Sequence, residues 1–593
     1  MRKFLFNLRS LIKIDHYLFF LILFTTSYFF VILNSGYFSD DAYSQQIKGL
    51  LEYEDQNLFS YTLKTIKGWI VGSGRMLIFS SYHFILFYFL ENLIIYKIIV
   101  LIVLILVFSL FYFINIIIFK LKKIPLLLTI FSILSLQLRE FHDPILGFHG
   151  FIPFLALLYL IQLYLLLIFN KTSKKKYHYL SSFIFFICNL SYEIAFLFLF
   201  FNFFILNLYF KKLTKILTIL KPHIYIFIIS ILIFFIIQIR VNFFSTTGIP
   251  DYKIIIENNF FVDIFKVFFF QITSVIPSSY FLSNILNYDF NRYFFIYFII
   301  ILIFLFLSFL YCLKKKIFYR IYFKKINRLK VLFCSLSFLV FPSLLILISP
   351  HKEEVLDKGF GYGYIFNFFS CFGFGYLILF FFSFFKKIYF KLILFFIFMI
   401  SVMNSISNLK TVLNSNIVYK YPDRIISKAI KKGIFDKIYD DQIVIRQMRY
   451  PSDWVWNYVS KTNKKILLIN PDEIKKADNF INLNKLDKSQ DGSLNINLNT
   501  SEENIWALHY FFDPNGTKNA QFFLGKVDEI ILNKKQDLIL QAKVNNMLIY
   551  QEYRNRLFKI NLNYSIDFIK LIYDSEQKPI KYFVHTDLNK YKF

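Results

Sequence analysis

Apolar runs and short basic stretches alternate along the first 406 residues. Most of the runs are about 17 to 25 residues long, enough to cross the hydrocarbon core of a bilayer. The first, Tyr17 to Leu33, follows Arg2, Lys3, Arg9 and Lys13 and has no small-residue cleavage site after it. It reads as an uncleaved signal anchor. Further basic clusters lie at Lys120/Lys122/Lys123, Lys171/Lys174/Lys175/Lys176, Lys211/Lys212/Lys215, Lys314 through Lys330, and Lys386/Lys387. The positive-inside rule assigns such clusters to cytoplasmic loops. The spans then run 17–33 outward, 97–119 inward, 124–140 outward, 147–169 inward, 179–193 outward and 195–210 inward. The remaining five run 222–240 outward, 291–313 inward, 331–349 outward, 363–385 inward and 389–406 outward. This predicts a polytopic α-helical membrane protein of about eleven transmembrane helices, its N-terminus cytoplasmic and its C-terminus outside. Segment 76–95 is apolar, but a span there would put every later cluster on the wrong side. Ser80, Ser81, His83, Glu91 and Asn92 interrupt it, which predicts a helix lying at the outer interface. Two segments keep a second reading: 179–210 as one long helix, and the Phe-rich run within 241–290 as a dip into the membrane.

The pattern changes near residue 407. Apolar runs shorten, and Asn, Asp and Lys spread through the chain. Ile443-Val444-Ile445, Lys465 to Ile469 and Glu529 to Leu532 read as strands. Pro422 to Lys432 reads as a helix, and Asn470-Pro471 and Asp513-Pro514-Asn515-Gly516 as turns. Residues 407–593 are thus expected to form a soluble, extracytoplasmic α+β domain with its own core. No internal repeat is visible.

Composition adds two points. The mean hydropathy is +0.53 and 82 of the 593 residues are Phe, as a chain rich in spans requires. The net charge of +29 comes mostly from clusters between apolar runs, so it calls for no nucleic acid. Cys188, Cys312, Cys334 and Cys371 lie in or beside apolar runs and the tail has none, so no disulfide framework is expected.

With this topology the outer loops hold the candidate chemistry. Loop 34–96 carries Asp40 and Asp41 directly after the first span, then Gly72-Ser73-Gly74-Arg75. Carboxylates are strongly unfavourable in hydrocarbon, so an adjacent pair held at the membrane surface marks a candidate site. The plain alternative is a solvated helix end. In an extended stretch the two side chains point to opposite faces. Arg139-Glu140-Phe141-His142-Asp143-Pro144 follows in the next outer loop. His142 and Asp143 have metal-ligand chemistry, but two ligands are too few for a site. Glu193 is an acid between apolar stretches, a functional candidate by default. Arg240 ends the seventh span and has the alternative of snorkelling to headgroups. Tyr252, Gln271 and Pro277 follow, then Ser349-Pro350-His351-Lys352-Glu353-Glu354 and Gly361-Tyr362-Gly363-Tyr364. No Walker loop, dinucleotide glycine pattern, HExxH or nucleophile elbow is present, which disfavours an enzyme driven by cytoplasmic nucleotide.

An acidic pair just after the first span, followed by Gly74-Arg75 opening an interfacial helix, resembles the C-type membrane glycosyltransferases. Within them the chain is most similar to the bacterial O-antigen glucosyltransferase type. Leu190-Ser191-Tyr192-Glu193, Gln271 through Tyr280 and Ser349-Pro350 through Tyr364 carry the same likeness, over roughly residues 15–406. Here Gly74-Arg75-Met76-Leu77 stands where those glucosyltransferases have Gly-Arg-Pro-Leu. The resemblance implies a GT-C-like catalytic domain over 1–406. It further implies transfer of a sugar from a polyprenyl-phosphate donor to a glycan or lipid acceptor, at the outer face of the cytoplasmic membrane. Such transfer needs a base for the acceptor hydroxyl and cations for the departing lipid phosphate. Asp40 is then the expected base, with Asp41 supporting it or binding sugar hydroxyls. Arg75, Arg240 and Lys352 are the expected phosphate ligands. His142, Asp143, Glu193, Tyr252, Gln271, His351 and Tyr362 are expected in the sugar or acceptor pocket. A divalent cation, Mg or Mn, at Asp40 and Asp41 is compatible with the family. The alternatives are an O-antigen polymerase or ligase, with its outer Arg-rich loops, and a flippase or transporter of lipid-linked sugars. A flippase would show repeated halves and polar residues near the midplane.

Overall fold

The computed structural model describes residues 15–90, 92–140, 142–244, 260–284, 292–315, 317, 321–322, 327–347, 349, 351–385, 387–388 and 390–420, and ten strands beyond them. The chain divides into two compact units. One comprises Met1–Asp41 and Asn57–Ser415, the other Ala42–Gln56 and Asn416–Phe593.

The first unit is helical. Among the described residues seven helices are long and apolar enough to cross a membrane: α1 His16–Asn34, α2 Leu93–Phe119, α3 Phe151–Thr172, α4 Leu213–Val241, α5 Phe294–Lys314, α6 Arg328–Leu347 and α7 Leu392–Asn416. They make this a multi-pass membrane protein. Four other expected spans coincide with shorter helices, Lys123–Leu134, Lys175–Asn189, Phe198–Tyr209 and Asn367–Phe382. At 1.5 Å per residue these reach only about 18–24 Å. The 179–210 segment is not one helix. It breaks at Leu190–Tyr192, where Tyr192 is extended (φ −167°) and the Leu190 carbonyl accepts the Ile78 N–H at 3.0 Å. Segment 76–95 is broken too. It holds a 3₁₀ turn, Phe79–Ser81, and the eight-residue helix Tyr82–Phe89, about 12 Å long and too short to cross. Within 241–290 a helix runs Phe260–Ser274. It buries Val267, Gln271 and Ser274 and exposes Val262, Phe265 and Phe269, the two-faced pattern of an interface helix.

Hydrogen bonds and ion pairs tie helix ends to one another. At one end Lys122 pairs with Asp15 (2.9 Å) and His16 meets the Tyr311 hydroxyl (2.8 Å). There Lys330 also donates to the Asn207 and Phe210 carbonyls, and Arg328 to that of Ser383. At the other end Lys97 pairs with Asp41, Gln238 donates to the Gly74 carbonyl, Arg139 to that of Ser274, and Asn414 to Glu140.

Small residues set the closest approach. A Cβ on Gly375 would meet the Ser132 side chain and lie 2.7 Å from the Leu128 carbonyl oxygen. On Gly373 it would lie 2.8 Å from Phe338 Cβ. Helix Asn367–Phe382 is thus wedged between Lys123–Leu134 and α6, as small residues permit in a bundle without a hydrophobic drive between helices. Deeper in the bundle Gln162 donates to Ser181 and accepts from Asn202, and His223 joins them at 3.2 Å. Polar residues are therefore not confined to the helix ends.

In the second unit the strands are β1 Gln442–Ile445, β2 Lys465–Leu468, β3 Asp487–Lys488, β4 Leu494–Asn497 and β5 Ile505–Phe512. They continue with β6 Asn519–Lys526, β7 Glu529–Leu532, β8 Leu538–Val544, β9 Met547–Gln551 and β10 Phe583–Asp587. Two five-stranded sheets form, in the orders β9-β8-β7-β4-β3 and β10-β6-β5-β1-β2. The first is antiparallel throughout; in the second β1 runs parallel to both β2 and β5. The expected strands near 443, 465 and 529 are β1, β2 and β7. The helix expected at 422–432 lies outside the described residues.

Candidate functional site

Asp40 and Asp41 occupy the first turn of a short helix, Asp40–Ser44, not an extended stretch. Their side chains still diverge, because successive helical positions are about 100° apart. Asp40 is exposed and Asp41 is fully buried. The Asp41 Oδ2 atom accepts from the Tyr96 hydroxyl at 2.6 Å and from Lys97 Nζ at 3.4 Å; its Oδ1 accepts the His149 backbone N–H. Lys97 is fully buried as well. Burial pushes the Asp41 carboxyl above the ordinary carboxylate range, and Lys97, Tyr96 and His149 oppose that rise. Asp41 therefore fixes its neighbour. The His149 ring also bonds to the Asp40 carbonyl oxygen at 2.9 Å and stacks on His83 with 4.0 Å between centroids. Burial, and then the neighbouring His149, hold His83 well below its usual range.

The divalent cation implied at Asp40 and Asp41 can be tested on this geometry. Both oxygens of Asp41 are engaged, one of them by an ammonium. A metal there would face that like charge at contact distance, so Asp41 does not fit a ligand role.

Arg75 follows Gly74, which sits in the left-handed region at φ +73° and closes a π-helical turn, Trp69–Ser73. The Arg75 guanidinium meets the Glu193 carboxylate through Nε at 3.5 Å and Nη2 at 3.4 Å, and lies 5.2 Å from the Tyr192 ring centre. Burial pushes Tyr192 up to about 12 against the pull of Arg75, and the charge of Asp40 acts on it in the same upward sense. Arg75, Tyr192, Glu193 and Asp40 thus share one region.

The third group joins distant loops. His142 Nε2 and His351 Nδ1 both approach Glu354 Oε2, at 2.9 and 2.8 Å. Those two hydrogen bonds hold Glu354 down to about 2. The Tyr364 ring packs on both imidazoles, and its backbone N–H donates to Gln271 Oε1 at 2.9 Å. Tyr364, Phe366 and Tyr192 then run ring to ring back toward Arg75.

Other expected site residues have structural partners. Asp143 is buried, and its oxygens accept the backbone N–H groups of Arg139, Ile145 and Leu146. It shapes the loop that presents His142. Lys352 pairs with Asp263 at 3.0 Å and with Glu353 at 3.5 Å. Tyr362 donates to Asn284 Oδ1 at 2.9 Å. Arg240 is exposed on α4, two residues beyond the Gln238 that reaches Gly74. Tyr252 lies outside the described residues.

Lys97, Tyr96, His149 and Tyr192 enter the site without having been chosen as site residues from the sequence. Of seven described non-glycine residues with positive φ, four lie in these loops: Ser39 (49°), His142 (43°), His149 (52°) and Ser278 (65°). Such backbone costs roughly 1–3 kcal/mol each and clusters where side chains must be aimed. No protein-family profile matches the chain, and no curated protein matches its sequence.

Proposed function

We propose that this protein is a membrane glycosyltransferase of the hexosyltransferase class, using a polyprenyl-phosphate sugar as donor. The acceptor is a glycan or lipid at the outer face of the cytoplasmic membrane. The observation that carries this reading is the convergence of Asp40, Arg75, Tyr192, Glu193, His142 and His351 from four loops at one end of the helical unit. Among the described residues, the basic side chains of Lys122, Arg328 and Lys330 bond at other helix ends. The alternating end contacts support eleven passes, the four short helices included, with the N-terminus cytoplasmic and the strand-rich tail, read as an extracytoplasmic α+β domain, outside.

In the proposed reaction Asp40 takes the proton of an acceptor hydroxyl. The hydroxyl oxygen attacks the anomeric carbon, and the bond from that carbon to the lipid phosphate breaks. Polyprenyl phosphate leaves as an anion, so no strong general acid is needed. Inversion follows from attack opposite the leaving group. Arg75 is the phosphate ligand, held in orientation by Glu193 and Tyr192; its fork suits two phosphate oxygens. The anchoring of Asp41 by three donors keeps Asp40 aimed outward.

The test is transfer from polyprenyl-phosphate sugars in membranes containing the protein or its Asp40→Asn variant. A base within reach contributes about 10²- to 10⁴-fold, and the variant should lose that much while eluting as monodisperse protein. Transfer by the variant at the parent rate would overturn the role of Asp40. Comparison of surface glycans with and without the protein identifies the sugar and acceptor.

A further inference from the structure

We propose that His142, His351 and Glu354 form a binding site for a divalent transition metal, with zinc as the first candidate. Two imidazole nitrogens and one carboxylate oxygen lie within 4.8 Å of one another. Glu354 Oε2 is the common point, 2.9 Å from His142 Nε2 and 2.8 Å from His351 Nδ1. The donors come from distant parts of the chain, since His142 follows the helix Lys123–Leu134 and His351–Lys358 is a helix of its own.

The donor set selects the metal. Imidazole suits zinc and its first-row neighbours, whereas magnesium and calcium prefer oxygen throughout. Zinc bonds of about 2.0–2.1 Å put tetrahedral ligand atoms about 3.3 Å apart. To admit an ion the two short contacts must open by about 0.4–0.5 Å, and the two nitrogens, which lie within 4.8 Å of each other, must settle at the same spacing. The side chains are 19%, 30% and 40% exposed, so the site is reached from solvent. Three protein ligands leave a fourth position open, as in zinc sites that bind water or substrate.

The surroundings hold the donors in place. His142 has φ +43°, an unfavourable conformation for a non-glycine residue. Asp143 fixes that turn through three backbone N–H groups. The Tyr364 ring lies 4.6 Å from His351 and 5.0 Å from His142, and its own backbone is tied to Gln271. The neighbouring cation, Lys352, is turned onto Asp263 and Glu353. The site is separate from Asp41, where an ammonium opposes a metal.

Metal binding is measured on the full chain in detergent, its affinity tag removed, with neither donor nor acceptor present. The result is thus independent of the proposed transferase activity. The protein is stripped with chelator, dialysed against zinc and analysed by elemental mass spectrometry, then titrated with cobalt and followed by visible absorption. The parent should hold one zinc per chain and give the absorption of cobalt bound to nitrogen and oxygen. The His142→Ala/His351→Ala variant should lose both. Glu354→Gln should weaken zinc binding by at least about tenfold, as loss of a supporting group already does. If the alanine pair does not fold, His142→Gln/His351→Gln replaces it. Zinc, and not magnesium, should also raise the thermal midpoint of the parent. A parent that holds no more zinc than the double variant, or that magnesium stabilises equally, overturns the assignment.

Discussion

Replacing Lys97 with Met tests whether Asp41 is an anchor. Met keeps the length of the stem and removes the ammonium. Both partners are fully buried and 3.4 Å apart. At an effective dielectric of about 20, Coulomb's law gives about 5 kcal/mol for that separation. Removing one member of a buried pair typically costs about 3–5 kcal/mol, because the other charge is left behind. Tyr96 and His149 still donate to Asp41, which places the expected loss toward the lower end. Asp41→Asn alone strands Lys97 instead and should also destabilise. The double variant Asp41→Asn/Lys97→Met removes both charges and should recover most of the loss. The dependence on pH has a fixed sign. Asp41 is raised in the folded state above an unfolded value of about 3.9. Its contribution to stability is therefore greatest below the unfolded value and is lost as pH rises through the folded value. Without Lys97 the carboxyl rises further, so the deficit of Lys97→Met should shrink when the pH is lowered from neutral toward about 5. Thermal midpoints of the detergent-solubilised chain, at one heating rate and several pH values, give the ranking. A Lys97→Met protein as stable as the parent at neutral pH would show that Asp41 carries no buried charge, and the reasoning would fail.

Three further outcomes are expected. Gly375→Ala overpacks the contact with Leu128 and Ser132 and should destabilise by about 1–3 kcal/mol; an unchanged thermal midpoint would contradict the packing. Arg75→Lys keeps the charge but loses the fork toward Glu193 and phosphate, so transfer should fall by more than expression does; equal turnover would reduce Arg75 to a structural partner. Reporters fused after Lys123, Lys176 or Lys330 should read cytoplasmic, and those after Asp143, Pro277 or Phe593 external. A cytoplasmic reading at Asp143 would place the site on the wrong side for the proposed donor.

Much of the assembly was legible in the sequence because hydropathy and charge are read one residue at a time. The long spans, the breaks within 76–95 and the strands near 443, 465 and 529 follow from local pattern. So does the choice of polar loops, since Arg75 does meet Glu193 and His142 does meet His351. What escaped was pairing. Lys97 was read only as the first residue of a span. A lysine at the head of a long apolar helix needs an acid, and the signal was there in Asp41. His149 lies in the segment read as the fourth span, and its hold on Asp41 comes from its backbone N–H at a left-handed turn. Neither is written in its side chain. Glu354, one of four adjacent polar positions, became distinct only when the loop from His142 folded against it.

The pairing at this end argues about function as well as stability. Asp41 with Lys97, Arg75 with Glu193, and Lys352 with Asp263 place three ion pairs in partly or fully buried positions. Buried pairs are weak stabilisers, since desolvation offsets most of their attraction. Three such pairs, with four left-handed non-glycine residues in the same loops, make a poor arrangement for stability alone. They make a good one for holding charged groups at fixed angles in a medium of low dielectric, where preorganised charge acts most strongly on a reacting centre. The contrast is the polar group of Gln162, Ser181, Asn202 and His223 deeper in the bundle. Its members are neutral amides, a hydroxyl and an imidazole that bond mainly to one another, as helix-joining contacts do. Charged groups and strained backbone concentrate around Asp40 and Arg75, and substitution of those two residues should affect turnover more than folding. At Gln162 and His223 the order should be reversed.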